Sequence, residues 1–158
     1  MTRVGIGYDS HRFVPGDGVL LGGVEIPATV SLTGHSDADA VCHAVTDALL
    51  GSTGLGDIGG LFPDTDMANK GRDSIAMLGA AVQQVRESGW VPANVDITVI
   101  CESPKIGPHR NAIRARLAAA LGVAIEAVSI KGKTNEGMGW IGRGEGLAVM
   151  AVATVDRR

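Results

Sequence analysis

The order of strand-like and helix-like apolar patterns along this chain restricts its fold more than any other feature. Residues 95–101 alternate apolar and polar side chains, as in a half-buried strand, whereas apolar residues recur at helical spacing over residues 75–85. Further strands are predicted from Arg3 to His11, from Val128 to Lys131 and from Leu147 to Val155, and an extended segment from Val19 to Ile26 is predicted to be interrupted at Gly22-Gly23. Because helices separate these strands, we expect an α+β (mixed α/β) fold, in which helices flank a small, mainly mixed β-sheet on one side.

Three helices are predicted from capping residues and glycine stops. The first begins at Ser36, a good N-cap, with Asp39 three positions on in a capping-box arrangement, and it ends near Gly51. Residues 54–66 are rich in glycine and aspartate and are predicted to form a loop. The other two helices are predicted at residues 73–88 and 108–121.

Size, charge and composition narrow the class of protein. Residues 1–158 suit a single domain, and a hydrophobic content of 45% is enough to build its core. The net charge of -3 and an aromatic content of 3% argue against a nucleic-acid partner. No apolar run is long enough to cross a bilayer, so we expect no membrane association. Cys42 and Cys101 lie far apart, which favours reduced thiols in a cytoplasmic protein over a disulfide.

Two strand residues and one helix residue form a candidate metal site. Asp9 and His11 lie two apart in a predicted strand, so their side chains point to the same face. His43 lies in the first predicted helix, with Asp39 and Asp47 one turn away on either side as candidates to orient its imidazole. Two histidines and one carboxylate suit zinc with an open fourth position. Spacing alone favours the plainer alternative of a surface Asp–His pair and an unrelated helix histidine.

Other polar stretches suit an anion, a sugar or a nucleotide base. His35 precedes Ser36 at the predicted helix start, where free backbone N–H groups attract phosphate. Carboxylates within residues 56–66 suit sugar hydroxyls or a cation, with simple turn capping as the alternative. Residues 103–109 contain two prolines and form either a rigid base-binding segment or a plain strand-to-helix connector.

Two stretches near the C-terminal end combine charges of both signs. Lys133 and Thr134 suit phosphate, and Glu136 offers oxygen ligands to Mg²⁺ or Mn²⁺. Arg143 and Glu145 lie two apart among glycines, so in an extended segment they share a face. They form either a simple ion pair or the floor of an anion site.

Seven short motifs follow one another along the chain. They are GYDSH at residues 7–11, GHSDAD at 34–39, LGDIG at 55–59, FPDTD at 62–66, PK at 104–105, KTNE at 133–136 and GRGEG at 142–146. Together and in this order they resemble the 2-C-methyl-D-erythritol 2,4-cyclodiphosphate synthase family. One such motif is weak evidence, whereas seven in the family's order extend over nearly the whole chain, from Val4 to about Val155.

The resemblance implies a phosphorus-oxygen lyase of the non-mevalonate isoprenoid pathway. Its expected substrate is 4-diphosphocytidyl-2-C-methyl-D-erythritol 2-phosphate, which is cyclised to 2-C-methyl-D-erythritol 2,4-cyclodiphosphate with release of CMP. The resemblance also implies a homotrimer with active sites between neighbouring subunits. The rival functions are a zinc phosphohydrolase and a non-catalytic trimer that binds isoprenoid diphosphates.

The same resemblance assigns the metal ions. Zinc, one ion per subunit, would be held by Asp9, His11 and His43. A second ion, Mg²⁺ or Mn²⁺, would bind the substrate diphosphate and be held by Glu136.

The resemblance assigns the remaining site residues as well. His35 and Thr134 would stabilise the transition state, and Arg143 and Glu145 would line a cavity on the three-fold axis. The implied substrate-binding residues are Asp9, Ser10, His11, His35, Ser36, Asp57, Ile58, Gly59, Phe62, Pro63, Asp64, Thr65, Asp66, Cys101, Glu102, Ser103, Pro104, Lys105, Ile106, Gly107, Lys133, Thr134, Asn135, Glu136, Trp140 and Arg143.

Overall fold

A five-stranded mixed sheet lies at the centre of the structure, a computed structural model that describes residues 1–158. The strands are β1 (Thr2–Pro15), β2 (Gly18–Leu21), β3 (Val24–Pro27), β4 (Val30–Leu32), β5 (Trp90–Ile100), β6 (Val128–Lys133) and β7 (Gly146–Arg157). The main sheet has the order β4-β1-β7-β5-β6 and is antiparallel except for the parallel pair β5–β6, whereas β2 and β3 form a separate hairpin. The predicted mixed sheet is therefore confirmed, and its first strand extends beyond His11 to Pro15.

Five α-helices and three single 3₁₀ turns connect the strands. The helices are α1 (Ala40–Thr53), α2 (Ile58–Leu61), α3 (Ser74–Glu87), α4 (Arg110–Leu121) and α5 (Gly139–Gly142). The 3₁₀ turns are Met67–Asn69, Gly107–His109 and Ile125–Ala127. The helices predicted at residues 73–88 and 108–121 are confirmed, whereas the predicted loop at 54–66 contains α2. No helix combines the length and the apolar character that crossing a bilayer requires.

The predicted start and end of the first helix are wrong. Asp39, not Ser36, caps α1: its carboxylate accepts the N–H of Cys42 and also those of Gly22 and Gly23 in the β2–β3 turn. The N-cap therefore lies three residues later than expected. At its other end it runs past Gly51 to Thr53, where Gly54 adopts the left-handed conformation of a C-cap with a φ of 74°.

Helix α1 packs directly on the backbone of β1. At Gly7 an added Cβ would lie 1.9 Å from the carbonyl oxygen of Ala44, and at Gly5 it would lie 2.0 Å from that of Ala48. No side chain longer than hydrogen fits at either position, so these glycines set the separation between strand and helix. The residues that follow them on β1 are thereby held close to α1.

The two faces of the sheet differ in what covers them. The helices pack on one face, and a cluster of 30 buried hydrophobic residues lies mostly between them and the sheet. The opposite face is open: Val4, Ile6 and Tyr8 of β1 are 66%, 64% and 54% exposed, and Met150 and Val152 of β7 lie beside them. The helices thus flank the sheet on one side, as predicted.

Candidate active site

The three predicted zinc ligands lie together between β1 and α1. Asp9 and His11 occupy the same face of β1 as Gly5 and Gly7, and His43 reaches them from α1. The Oδ2 atom of Asp9 lies 2.8 Å from Nε2 of His11 and 3.1 Å from Nδ1 of His43, and these two nitrogens are 3.4 Å apart. Packing of helix against strand therefore gathers one carboxylate oxygen and two imidazole nitrogens at one point.

This donor set fits a zinc ion. Ligands about 2.0–2.1 Å from a tetrahedral zinc are about 3.3 Å from one another, close to the three observed separations. The other nitrogen of His11, Nδ1, lies 3.0 Å from the carbonyl oxygen of Thr33 and donates its proton there, which leaves Nε2 with a lone pair. Three protein ligands leave the fourth position of a tetrahedron for substrate.

The charge state of Asp9 supports the same assignment. Burial alone would raise the pKa of Asp9, but hydrogen bonds and charge from His11 and His43 outweigh it and hold this pKa below its usual value. Burial alone would lower the pKa of His11, but its contacts with Asp9 and Thr33 outweigh burial and raise this pKa. Asp9 is thus ionised at neutral pH, as a metal-binding carboxylate must be.

The far side of the His43 ring contacts two serines, not the two aspartates predicted to orient it. Its Nε2 atom lies 2.8 Å from Oγ of Ser74 and 2.9 Å from Oγ of Ser36. Asp39 is fully occupied as a helix cap, and Asp47 accepts the N–H of Ile58 at 2.7 Å. The predicted role of Asp39 and Asp47 is therefore wrong, because backbone N–H groups of neighbouring turns bind both carboxylates.

His35 lies next to this cluster, but not at a free helix N-terminus. The carboxylate of Asp39 takes the N-terminal N–H of α1, so the anion site expected from free helix N–H groups is not formed there. Instead the backbone carbonyl of His35 accepts the N–H of Gly71, and its ring atom Nε2 is buried without a hydrogen-bond partner.

The segment from Asp57 to Arg72 is folded back on itself. Asp57 caps α2 and Asp66 caps the following 3₁₀ turn, so the turn-capping alternative is confirmed for both. The guanidinium of Arg72 lies 4.5 Å from the centre of the Phe62 ring. The predicted substrate contacts in this segment are otherwise mostly exposed: Ile58 is half-buried, and Gly59, Pro63, Asp64 and Thr65 lie at the surface.

A cavity of about 460 Å³ is formed by the segment that follows β5 and by the end of β6. From the predicted set it is lined by Cys101, Pro104, Lys105, Ile106, Gly107, Lys133 and Thr134. Pro108, Arg110 and Gly132 complete the lining. Burial raises the pKa of the Cys101 thiol to about 11, so it remains a neutral, apolar part of the wall. Residues 104–108 of the predicted base-binding segment thus line this cavity.

Other predicted substrate contacts lie around this cavity and not in its wall. Glu102 accepts the N–H groups of Asn135 and Gly137 at 3.0 and 3.1 Å, so its carboxylate holds the loop that follows β6. Ser103 lines a separate cavity of about 190 Å³. Glu136 is exposed, with a φ of 53° that is unusual for a residue other than glycine.

A third cavity, of about 230 Å³, is lined by one residue of the metal triad, His11. Ser10, His11, Trp140 and Glu145 line it together with Arg12. Arg143 is outside its wall, and its Nε donates to Glu145 over 2.8 Å, which is the predicted ion pair. None of the triad residues lines the 460 Å³ cavity, so one chain presents the metal set and that cavity separately.

The same chain matches known proteins along nearly its full length. A sequence model of the YgbB family matches residues 2–156. The chain belongs to the YgbB family. It is 64% identical over 155 residues to the 2-C-methyl-D-erythritol 2,4-cyclodiphosphate synthase of Gemmatimonas aurantiaca, and the match covers 98% of this chain and 93% of that relative.

Solved structures share the fold of this YgbB family chain. The bifunctional IspDF of Campylobacter jejuni aligns with a TM-score of 0.96 and 40% identity over 100% of this chain, which corresponds to 43% of that longer protein. The CDP complex of IspF from Plasmodium falciparum aligns with a TM-score of 0.87 and 33% identity, covering 99% of this chain and 97% of that one. The family resemblance predicted from the seven motifs is confirmed.

Two features of this YgbB family site were not predicted from the sequence. Ser74 follows the N-cap Asp73 of α3, so its sequence context indicated only a helix start. Arg110, at the start of α4, lines the 460 Å³ cavity. For Arg110 the only signal in the sequence was a cation directly after the proline-containing segment. Neither residue could be assigned from its neighbours in sequence, because both contacts depend on the tertiary structure.

Proposed function

We propose that this chain converts 4-diphosphocytidyl-2-C-methyl-D-erythritol 2-phosphate to 2-C-methyl-D-erythritol 2,4-cyclodiphosphate and CMP. The observation that carries the proposal is the triad of Asp9, His11 and His43 in a chain that matches a named synthase over 98% of its length. A cytoplasmic location remains a prediction.

The reaction is an intramolecular phosphoryl transfer. An oxygen of the substrate's 2-phosphate attacks the β-phosphorus of its diphosphate, and the bond from that phosphorus to the bridging oxygen breaks as CMP leaves. The nucleophile is already an anion, so no strong base is needed. The barrier lies in bringing two negatively charged groups together, which positioned cations and hydrogen-bond donors relieve.

The residues of the chain supply these donors and cations. Zinc bound to the triad would supply positive charge that polarises and positions phosphate oxygens. The buried Nε2 of His35 lacks a protein partner and is a hydrogen-bond donor for phosphate in one tautomer. Lys133 and Thr134 line the 460 Å³ cavity, where an ammonium and a hydroxyl bind and orient a diphosphate.

The 460 Å³ cavity is proposed to hold the cytidine diphosphate part of the substrate. Its volume is in the range of small-molecule sites, and Lys105 and Arg110 add positive charge to its wall. The solved structure of the Plasmodium falciparum relative is a complex with CDP, which supports a cytidine nucleotide as the ligand class.

Glu136 is proposed to hold the second cation. Its exposed side chain makes no ion pair, and its backbone N–H donates to Oγ1 of Thr134, which ties the backbone of Glu136 to that hydroxyl. Glu136→Gln removes the charge but keeps the shape, so activation by Mg²⁺ should be lost while bound zinc is retained. Turnover measured against Mg²⁺ concentration, with zinc determined by elemental analysis, tests this. Glu126→Gln, which removes the same charge from an exposed turn, should leave both unchanged.

A homotrimer is proposed from the open face of the sheet. Val4, Ile6, Tyr8, Met150 and Val152 form an exposed apolar patch that a second copy of the chain would cover. Neighbouring copies would also bring the metal set of one chain to the 460 Å³ cavity of the next, which a single chain presents separately.

Sedimentation equilibrium tests the trimer. The mass should be about three times the 16.2 kDa of one chain. Ile6→Asp buries a charge at the proposed interface and should shift the protein toward monomers with loss of activity. Ile125→Asp places the same charge at an exposed position outside the patch and should stay trimeric. A monomeric wild-type protein with full activity would contradict the assembly.

The proposed reaction is tested by ³¹P NMR of the purified protein with the cytidyl 2-phosphate substrate, zinc and Mg²⁺. The expected result is one CMP per substrate and two coupled signals from a ring diphosphate. Inorganic phosphate or a linear product would indicate the phosphohydrolase. Intact substrate in the presence of zinc-loaded protein would contradict the cyclase and favour the non-catalytic trimer.

A further inference from the structure

His43 differs from the other histidine of the triad in what holds its second ring nitrogen. Nδ1 of His11 contacts a backbone carbonyl, that of Thr33, whereas Nε2 of His43 contacts the hydroxyl of Ser74 at 2.8 Å. Ser74 is completely buried, so no water competes for that hydroxyl. It is the first residue of α3, a helix that contributes no residue to the metal triad.

A carboxylate lies directly behind Ser74. The hydroxyl of Ser74 contacts Oδ1 of Asp37, and the Ser74 N–H donates to Oδ2 of the same side chain over 2.8 Å. The N–H of Asp39 also donates to Oδ1 of Asp37, over 3.2 Å. Asp37 is therefore held by three donors and directed at the serine.

Counting donors and acceptors gives this chain of contacts one direction. Nδ1 of His43 faces the oxygen of Asp9 and must keep its lone pair to bind a cation, so Nε2 carries the proton. That proton is donated to the oxygen of Ser74, and the Ser74 hydroxyl then donates to Asp37, which can only accept. The reverse direction would leave Asp37 without a donor from the hydroxyl.

We propose that Ser74 and Asp37 are positioning residues for the metal centre: they fix the tautomer and ring orientation of His43 so that Nδ1 is free for the metal. The inference rests on the proposed zinc-dependent function, but its test does not need substrate. This chain of contacts also links α3 to α1. Ser74 is the first residue of α3, whereas Asp37 lies just before α1 and His43 lies within it.

The second hydroxyl near Nε2 gives an internal comparison. Oγ of Ser36 lies 2.9 Å from the same nitrogen, so it competes with Ser74 for the proton. The Ser36 hydroxyl donates to no carboxylate, whereas the Ser74 hydroxyl donates to Asp37. A serine backed by a carboxylate is the better acceptor, since its own proton is already directed away. Removal of Ser74 should therefore weaken zinc binding more than removal of Ser36.

The test is the zinc affinity of the full-length protein, measured by competition with a chromogenic chelator. Ser74→Ala and Asp37→Asn should each weaken zinc binding by about 10–100-fold, the usual effect of removing a partner of a metal-bound histidine. The double variant should lose no more than the worse single variant, because both substitutions break one chain of contacts. Asp37→Asn preserves the shape of the side chain, so it still tests the inference if Ser74→Ala fails to fold.

Controls separate positioning from helix stability. Asp73→Ala removes the N-cap of α3, whose carboxylate accepts the N–H of Ile75, without touching His43. It should lower the apo protein's stability to urea but leave zinc affinity unchanged. Equal loss of zinc affinity in Asp73→Ala, or unchanged affinity in folded Ser74→Ala and Asp37→Asn, would overturn the inference.

The zinc measurement also keeps this inference separate from the proposed reaction. Weakened zinc binding in both variants, together with a wild-type protein that releases no CMP, would support the positioning role and contradict the cyclase alone. Normal cyclisation by the wild type with unchanged zinc affinity in both variants would contradict the positioning role alone.

Discussion

His43→Ala should remove bound zinc and lower kcat by about 10³-fold or more. The substitution deletes one of three ligands and leaves Asp9 and His11 on one strand with no donor from α1. The positive charge that zinc would place beside the reacting phosphates is worth several kcal/mol, and about 1.4 kcal/mol changes a rate tenfold. The measurements are zinc content by elemental analysis and CMP release at saturating substrate.

His109→Ala is the matched control. It removes a histidine from the 3₁₀ turn before α4, outside the triad, and should keep zinc bound. Circular dichroism and unfolding in urea show whether both variants remain folded. Full zinc occupancy and normal turnover in folded His43→Ala would contradict the metal assignment, and equal loss of zinc in His109→Ala would show that the effect is not specific.

Gly7→Ala should destabilise the protein by about 3 kcal/mol or more, the upper end for overpacking a core. The new Cβ would lie 1.9 Å from the carbonyl oxygen of Ala44, and both atoms belong to backbone held in a sheet and a helix. Since neither can yield alone, α1 must move away from β1. His43 precedes Ala44 on α1, so the same shift should weaken zinc binding. Urea unfolding of apo and zinc-loaded protein measures both effects.

Gly79→Ala provides the comparison for that substitution. Gly79 lies within α3, and nothing is within 4 Å of the position that a Cβ would take. Alanine there should stabilise the helix by about 0.5–1 kcal/mol and leave zinc affinity unchanged. If Gly7→Ala were as stable as Gly79→Ala, the close packing of α1 on β1 would not exist as described.

The sequence predicted much of the fold because local patterns agreed with it. Alternating residues marked β5, and capping and glycine stops marked α3 and α4 within one or two residues. The motifs identified the family, which the match over residues 2–156 confirms. The roles of individual site residues in catalysis and substrate binding remain predictions, although the triad and much of the proposed nucleotide segment do come together in space.

The start of α1 shows where local patterns are insufficient. Ser36 and Asp39 are both good N-caps, and sequence alone offers no reason to prefer the second. Asp39 caps the helix because its buried carboxylate also binds the N–H groups of Gly22 and Gly23, which are 16–17 residues away. Once Asp39 is the cap, Ser36 lies outside the helix and its hydroxyl reaches the ring of His43.

The sequence by itself determined the kinds of the longer elements, their order and the ligand types of the metal set, since these depend on periodicity, capping and the chemistry of single residues. Only the tertiary structure decided which residues hydrogen-bond to the histidine ligands and which face of the sheet remains exposed. Ser74 meets His43 from 31 positions away, and the open face of the sheet follows from α1, α3 and α4 packing on the other side. Such contacts depend on the separation and orientation of whole elements, which no local pattern encodes.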